Sequence, residues 1–214
     1  MTKVKICGIT NATDLGLAIE CGADAIGFIT DVPVDTPRKI DAATAASLSK
    51  KVPVFVTSVL VTMPKSADEA ISLIKKVRPR AVQIHSDLAV KEIQYLREQM
   101  DIPVIKTVGV SDFAGAISRI NEVEDFADAI LLDTVGDGPG GTGTTHDWRI
   151  SAEIVRRCSI PVILAGGLRP ENVFQAVSIV KPYAVDVASG VETNGRKDAS
   201  KLNAFIREVK RASF

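Results

Sequence analysis

Short runs of apolar, mostly β-branched residues recur along the entire chain. Most of these runs lack an alternation of hydrophobic and polar positions, so they predict strands covered on both faces, as in a parallel sheet. Successive runs begin about 26 residues apart on average, the length that a strand, a helix and two short loops need. The eight predicted strands are Val4–Cys7, Ala25–Ile29, Val54–Leu60, Ala81–Ile84, Val104–Val108, Ala129–Leu132, Val162–Ala165 and Ala184–Val187.

The segments between these runs place apolar residues at helical spacing and predict eight helices. Asn11 is a candidate N-cap for the first helix, and Gly22 follows that helix where a C-cap glycine is expected. Pro53, Pro103 and Pro161 each stand at a predicted strand entrance, where proline is tolerated. The predicted helices are Asn11–Cys21, Ala42–Lys50, Ala67–Val77, Ala89–Met100, Phe113–Ile120, Trp148–Arg157, Pro170–Val180 and Ser200–Ala212.

Strict alternation of strands and helices is typical of two α/β architectures, the (β/α)8 TIM barrel and the doubly wound open sheet. Eight units of even length without a linker of mixed composition favour the barrel. A doubly wound dinucleotide-binding fold would carry GxGxxG after its first strand, whereas this chain has Cys7-Gly8-Ile9-Thr10. We therefore predict a single (β/α)8 barrel domain over residues 1–214.

The composition excludes several classes of protein. With 46% hydrophobic and 24% charged residues the chain resembles an average soluble protein, not a disordered or collagenous one. Its 26 basic and 26 acidic residues give no net charge, so we expect neither nucleic acid nor a membrane as a partner. Three cysteines without a CxxC pair, and no apolar leader or membrane span, predict a cytoplasmic protein.

Active-site residues of a barrel lie at the carboxyl ends of its strands and in the loops that follow. The two histidines are far apart in sequence and have no carboxylate cluster at ligand spacing, so no metal site is predicted. The candidates for catalysis or substrate binding selected by the strand-end rule are Cys7, Arg38, Gln83, His85, Asp133, Gly141 (in the glycine-rich loop 136–143) and Asp186.

The loops after strands 7 and 8 predict a phosphate site. Barrels bind phosphate most often between these two loops, with help from a short helix N-terminus. Gly166 and Gly167 allow close approach of the backbone, and Ser189 and Gly190 can add N–H donors. Taken singly, either pair is also compatible with an ordinary tight turn.

Cys7 and Asp133 form a potential acid–base pair. A cysteine with a modestly lowered pKa can act as a base near neutral pH, and the helix N-terminus near Asn11 would lower it. Each residue also has a structural alternative, since Cys7 could be a small buried hydrophobe and Asp133 a cap on the glycine-rich loop. Arg38 offers a planar fork for a carboxylate or phosphate, or is a solvated loop charge.

Several of these segments resemble the phosphoribosylanthranilate isomerase family, which acts in tryptophan biosynthesis. The matching motifs extend over nearly the whole chain, and the first of them combined with the strand-6 block is the most specific. They are Lys5-Ile6-Cys7-Gly8-Ile9-Thr10, Val82-Gln83-Ile84-His85, Leu132-Asp133-Thr134, Gly140-Gly141-Thr142-Gly143, Asp147-Trp148, Leu164-Ala165-Gly166-Gly167-Leu168 and Val185-Asp186-Val187-Ala188-Ser189-Gly190-Val191-Glu192.

The resemblance implies an Amadori rearrangement of N-(5′-phosphoribosyl)anthranilate to 1-(2-carboxyphenylamino)-1-deoxyribulose 5-phosphate, without a metal or organic cofactor. It implies that Asp133 is the general acid, Cys7 the general base and Arg38 the residue that holds the anthranilate carboxylate. Gly167, Ser189 and Gly190 match the family's phosphate cradle, and Asp186 matches a residue that lies beside the substrate in the family. The expected partner is a small phosphosugar, and the sequence leaves open a monomer or a homodimer.

Two segments depart from the family pattern. The loop Thr30–Arg38 is longer and more acidic than usual, which affects the placement of Arg38. Thr144-Thr145-His146 stands where a basic residue and a phenylalanine are common, so His146 either reaches the substrate or fills the vacated aromatic position.

Other functions fit the residues less well. The histidine-pathway isomerase uses an aspartate where this chain has Cys7. Indole-glycerol-phosphate synthase needs several lysines and a glutamate projecting from its strands, and only Lys106 is placed so here. A metal-dependent epimerase needs more histidines. A barrel that binds a phosphate ligand without turning it over would not need both Cys7 and Asp133.

Overall fold

The computed structural model describes residues 1–134 and 145–212 and contains a closed barrel of eight parallel strands. Neighbouring strands follow one another in chain order, and β1 pairs with β8 to close the ring. Helices α1 to α8 follow the strands in strict alternation. The predicted (β/α)8 architecture is confirmed.

The strands have the following bounds: β1 Lys3–Ile6, β2 Ala25–Ile29, β3 Thr57–Thr62, β4 Ala81–Ile84, β5 Val104–Val110, β6 Ala129–Thr134, β7 Val162–Leu164 and β8 Ala184–Val187. The helices are α1 Ala12–Glu20, α2 Ala42–Ser49, α3 Ala67–Val77, α4 Val90–Gln99, α5 Phe113–Val123, α6 Trp148–Arg157, α7 Val173–Val180 and α8 Ala199–Ala212. Short 3-10 helices lie at Glu124–Phe126 and Ser189–Val191, and a small antiparallel hairpin joins β9 Glu192–Thr193 to β10 Arg196–Lys197.

Side chains on each strand alternate between the barrel interior and the helix layer, because a strand has a period of two. The helix-facing residues form the larger core, which includes Val4, Ile6 and Val185. The interior residues form a second, smaller cluster that includes Cys7 and Ala165. This alternation places the predicted site residues at the interior ends of their strands.

Side-chain caps fix the starts of several helices, as the sequence predicted for α1. The Asn11 Oδ1 accepts a hydrogen bond from the backbone N–H of Asp14 at 2.9 Å. Asp41 and Asp112 cap α2 and α5 in the same way. The predicted bounds of α3 and α6 are those of the structure.

The third strand begins three residues later than predicted. Val54 and Phe55 lie in a turn, with 74% and 97% of their surfaces exposed. The Val56 N–H donates to the Pro53 carbonyl, and the Arg80 guanidinium donates to the carbonyls of Pro53 and Val56 at 2.6 and 2.5 Å. The apolar run at this position therefore includes a clamped turn, and Pro53 belongs to that turn, not to the strand entrance.

Among the described residues, no helix is long and apolar enough to cross a bilayer. The same part of the chain holds no group of three histidine, cysteine, aspartate or glutamate residues arranged to bind a metal ion.

Lys106 lies on the helix-facing side of β5. It does not lie on the interior side, where a role like that of the indole-glycerol-phosphate synthase lysines would require it. Its register partners are Ile84 on β4 and Ile130 on β6, both in the helix-facing core. The residue is 1% exposed, and its Nζ donates to the Thr107 carbonyl at 2.5 Å. Burial, aided by the positive charge of Arg119, lowers the pKa of Lys106 to about 8.

Replacing Lys106 by methionine is expected to stabilise the protein at pH 7. A lysine with a pKa of about 8 in the folded state and near 10.4 in the unfolded state lowers the free energy of unfolding by about 3 kcal/mol below pH 8. This destabilisation disappears as pH rises through about 10.4. Denaturant unfolding of both proteins at pH 7 and pH 10 measures this difference. A variant that is less stable at pH 7, or a gain that persists unchanged at pH 10, would contradict it.

Candidate active site

A buried ion pair lies at the closure of the barrel, where β1 meets β8. The parallel register places Lys5 opposite Asp186, both on the interior face. The Lys5 Nζ lies 2.9 Å from the Asp186 Oδ1, and the lysine side chain is 3% exposed. Burial is the largest single effect and acts to lower the pKa of Lys5, but the charges of Asp186 and Cys7 and the hydrogen bonds to them together outweigh it. The net pKa is therefore raised, and the lysine stays charged.

Cys7 follows β1 on the same interior face as Lys5. Its backbone N–H donates to the Val187 carbonyl at 2.8 Å, which ties the cysteine to the end of β8. Burial raises the pKa of the thiol, and the positive charge of Lys5 opposes that rise without cancelling it. The expectation of a lowered pKa is therefore wrong, because desolvation of the thiolate is the larger effect.

Gly27 on β2 makes room for both groups. A Cβ at this position would lie 2.8 Å from the Cys7 Sγ and 3.1 Å from the Lys5 Nζ. Both atoms therefore border the space that a larger residue would fill. This close approach explains a glycine in the middle of a strand.

Asp133 lies near the carboxyl end of β6, where the sequence placed it. Its Oδ1 accepts a hydrogen bond from the Thr134 N–H at 2.9 Å. Burial, together with the negative charge of Asp186, raises the pKa of Asp133 to about 6. The side chain can therefore hold a proton in a pH range where an ordinary aspartate is ionised.

His85 and Gln83 stand beside Asp133. The His85 Nε2 lies 3.9 Å from the Asp133 Oδ2, and burial lowers the pKa of the histidine, which favours its neutral form. The Gln83 Nε2 lies 3.2 Å from the Thr107 Oγ1 and 3.4 Å from the His85 Nδ1. The Gln83 Oε1 is buried without a hydrogen-bond partner among the described residues, so it is an acceptor facing the interior.

Arg38 reaches the site from the long loop after β2. Its aliphatic chain crosses Gly8, whose φ of 73° suits glycine and whose missing Cβ leaves room for the Arg38 Cδ. The guanidinium binds Glu192 in bidentate fashion, with Nε–Oε1 and Nη2–Oε2 distances of 3.0 and 2.7 Å. The structure thus brings Arg38 next to the Cys7 loop, already paired to a carboxylate.

Glu192 also pairs with a buried lysine of the β9–β10 hairpin. The Lys197 Nζ lies 2.6 Å from the Glu192 Oε1 and donates to the carbonyls of Cys7 and Ala188 at 2.7 and 2.9 Å. Burial is the largest single effect and acts to raise the pKa of Glu192, but the hydrogen bonds and positive charges of Arg38 and Lys197 together outweigh it. The net pKa is therefore lowered, and the carboxylate is kept. This network joins the loops after β1, β2 and β8.

The predicted phosphate loops lie against one another. A Cβ on Gly190 would collide with the Leu168 carbonyl oxygen, and one on Gly166 would collide with Thr134. Gly166 and Gly167 both have positive φ, and Ser189 opens a 3-10 helix. The four predicted residues are therefore grouped on neighbouring loops at the end of the barrel where the other site residues lie.

His146 is engaged within the protein. Its Nδ1 lies 2.9 Å from the Thr134 Oγ1, and its Nε2 lies 2.5 Å from the Oγ of buried Ser151. The imidazole therefore joins β6 to α6, which favours the packing alternative over substrate contact. Gly141 and the rest of the predicted glycine-rich loop lie outside the described residues.

Sequence reasoning missed four residues of the site: Lys5, Gly27, Glu192 and Lys197. The signal for Lys5 was available, since it lies two residues before Cys7 and the period of a strand puts both on one face. No local pattern marks Glu192 and Lys197, which are brought together by a hairpin of two-residue strands.

The sequence matches one known enzyme family over almost its whole length. The family model described as N-(5′-phosphoribosyl)anthranilate (PRA) isomerase matches residues 4–208. An N-(5′-phosphoribosyl)anthranilate isomerase of Methanosarcina acetivorans is 48% identical, over 98% of this chain and 93% of its own.

Solved structures give the same result. A phosphoribosyl anthranilate isomerase from Thermotoga maritima superposes with a TM-score of 0.88 at 38% identity, covering 99% of this chain and 100% of its own. Another, in complex with reduced 1-(o-carboxyphenylamino)-1-deoxyribulose 5-phosphate, has a TM-score of 0.84 at 36% identity, with 99% and 100% covered. The matches extend over almost the whole chain, and the chain belongs to the N-(5′-phosphoribosyl)anthranilate isomerase family.

Proposed function

We propose that this chain isomerises N-(5′-phosphoribosyl)anthranilate with Asp133 as general acid and Cys7 as general base. The observation that supports these roles is that both residues lie on the interior face of the barrel. Cys7 belongs to the interior cluster, and Asp133 follows two residues after Leu131 of the same cluster, on the same face of β6. Strands β1 and β6 are separated around the ring by β7 and β8. Two groups on separate strands can address a sugar from different sides, which the rearrangement requires.

The first step opens the furanose ring. Asp133 donates its proton to the ring oxygen as the bond between that oxygen and C1′ breaks. The nitrogen lone pair forms the C1′=N bond, so the product is a protonated Schiff base and an Asp133 carboxylate. The raised pKa of about 6 lets Asp133 hold the proton that this step consumes.

The second step removes the proton at C2′. The Cys7 thiolate takes that proton, the C2′–H electron pair forms C1′=C2′, and the C1′=N electron pair returns to nitrogen. The enolamine then tautomerises to the ketone. Proton transfers and the electron-pair shifts that accompany them account for every bond change, so the chemistry needs no metal or organic cofactor.

Two further regions orient the substrate in this proposal. The loops carrying Gly166, Gly167, Ser189 and Gly190 would bind the phosphate through backbone N–H groups. Arg38 would bind the anthranilate carboxylate with the guanidinium N–H groups that Glu192 leaves unused. In the described chain the Arg38 Nη1 makes no hydrogen bond, so donors remain for a ligand.

Asp186, Gln83 and His85 would complete the pocket around the sugar. Asp186 anchors Lys5, the Gln83 Oε1 offers an acceptor, and neutral His85 stands against Asp133. We further infer that the partner is this small phosphosugar and that the protein works in the cytoplasm, as suits a biosynthetic isomerase.

Replacement of the acid or the base is expected to remove most activity. Cys7→Ser and Asp133→Asn should each lower kcat by at least about a hundredfold, the lower end for general acid–base catalysis. Anthranilate fluorescence with freshly generated substrate measures the rate. Cys21→Ser and Asp101→Asn are matched controls away from the site and should retain activity. Full activity of either site variant would exclude the role of that residue.

The pH profile of kcat/KM is expected to be bell-shaped with a low-pH limb near 6. The active form has a protonated Asp133 and a Cys7 thiolate. Above about pH 6, the thiolate that is lost as pH falls is balanced by a gain of protonated Asp133. Below about pH 6 Asp133 is already protonated, so further loss of thiolate lowers the rate. The high-pH limb lies above the ordinary cysteine pKa, because burial raises the pKa of Cys7. Initial rates across the pH range test this. A low-pH limb near 4, the ordinary aspartate value, would contradict it.

Arg38→Ala is expected to raise KM more than it lowers kcat, because Arg38 holds a part of the substrate that does not react. The KM of Arg38→Lys should lie between those of the wild type and Arg38→Ala, because lysine keeps the positive charge and loses the planar fork of N–H donors. Arg207→Ala on α8 is the control for loss of an arginine far from the site. An unchanged KM in Arg38→Ala would show that another residue binds the substrate carboxylate, and Lys39→Ala would then be measured.

A further inference from the structure

The proposed reaction leaves one buried charge at the site without a role. Lys5 is charged and almost fully enclosed, and its Nζ is held 2.9 Å from Asp186. A buried ion pair of this kind carries a large desolvation penalty, and replacing such a pair by apolar residues is often neutral or stabilising. Stability is therefore a weak explanation for Lys5.

The geometry relates Lys5 to the Cys7 sulfur. Lys5 and Cys7 project from one strand end to the same side, and Gly27 of the neighbouring strand leaves an open space that both the Nζ and the Sγ border. Any residue with a Cβ at position 27 would press on both atoms. The strand β2 is thus shaped to let the ammonium and the sulfur approach one another.

The other charged side chains around Cys7 are paired with groups other than the sulfur. Asp186 on β8 binds Lys5. Lys197 on β10 uses its Nζ on the Cys7 and Ala188 carbonyls and on Glu192. Arg38 binds the same Glu192 through its Nε and Nη2 groups. In the described chain Arg38 keeps unused N–H groups at Nη1, but among these cations Lys5 is the one whose charged atom borders the same space at Gly27 as the sulfur.

We propose that Lys5, held in place by Asp186, is a positioning residue that stabilises the Cys7 thiolate. The inference rests on the proposed function, in which that thiolate is the base. A thiolate in a buried site needs a nearby cation to offset its lost hydration. Lys5 keeps its protons throughout: the C2′–H bond breaks, the S–H bond forms, and the Lys5–Asp186 pair is unchanged.

The test titrates the Cys7 thiol directly. In a Cys21→Ser/Cys158→Ser background Cys7 is the one remaining thiol of the chain, and ultraviolet thiolate absorbance against pH gives its midpoint. Lys5→Met should raise that midpoint by about one pH unit or more and lower kcat about tenfold, with KM little changed. Lys3→Met is the control, because Lys3 forms the same 2.9 Å pair with Asp24 but is 53% exposed.

Gly27→Ala provides a second variant that keeps every charge. Its Cβ should push the sulfur and the ammonium apart and raise the thiol midpoint in the same direction. Midpoints that stay unchanged in both Lys5→Met and Gly27→Ala would overturn the inference. A raised midpoint together with full activity of Cys7→Ser would leave the Lys5–Cys7 pairing in place and refute Cys7 as the base. The two ideas therefore fail separately.

Discussion

The electrostatics of the site depend on the buried pair of Lys5 and Asp186. The pair forms where β1 and β8 close the barrel, so its geometry is set by the closure register and not by a flexible loop. Its charges act on the pKa values of Cys7, Asp133 and His85. A change in the closure register would therefore alter all three groups, which links the integrity of the barrel to the chemistry at its rim.

A second buried network holds the loops around this pair. Lys197 joins the Cys7 and Ala188 carbonyls to Glu192, and Glu192 in turn binds Arg38. These contacts are made by a short hairpin that follows the predicted phosphate loop. The contacts tie the loops after β1, β2 and β8 to one another, and precise positioning of acid, base and substrate needs such rigid support.

The barrel could be predicted from sequence because buried parallel strands and amphipathic helices leave clear periodic patterns. The same pattern failed at Val54 and Phe55, where an apolar run is a turn that Arg80 clamps from a distance. It also gave no orientation for Lys106, since one residue of register decides whether a side chain faces the interior or the helices. Cys7, Asp133 and Asp186 were found from strand ends, whereas the pairing of Asp186 with Lys5 joins residues about 180 positions apart in sequence and needs the fold.

An ion pair with no net charge can still separate the roles of an acid and a base. At Cys7 the ammonium of Lys5 outweighs the carboxylate of Asp186, which favours the thiolate. At Asp133 the carboxylate outweighs the ammonium, which favours the protonated acid. The pair is thus oriented with its positive end toward the base and its negative end toward the acid. One fixed dipole pushes both groups toward the protonation states that the reaction needs, against the burial that hinders the thiolate.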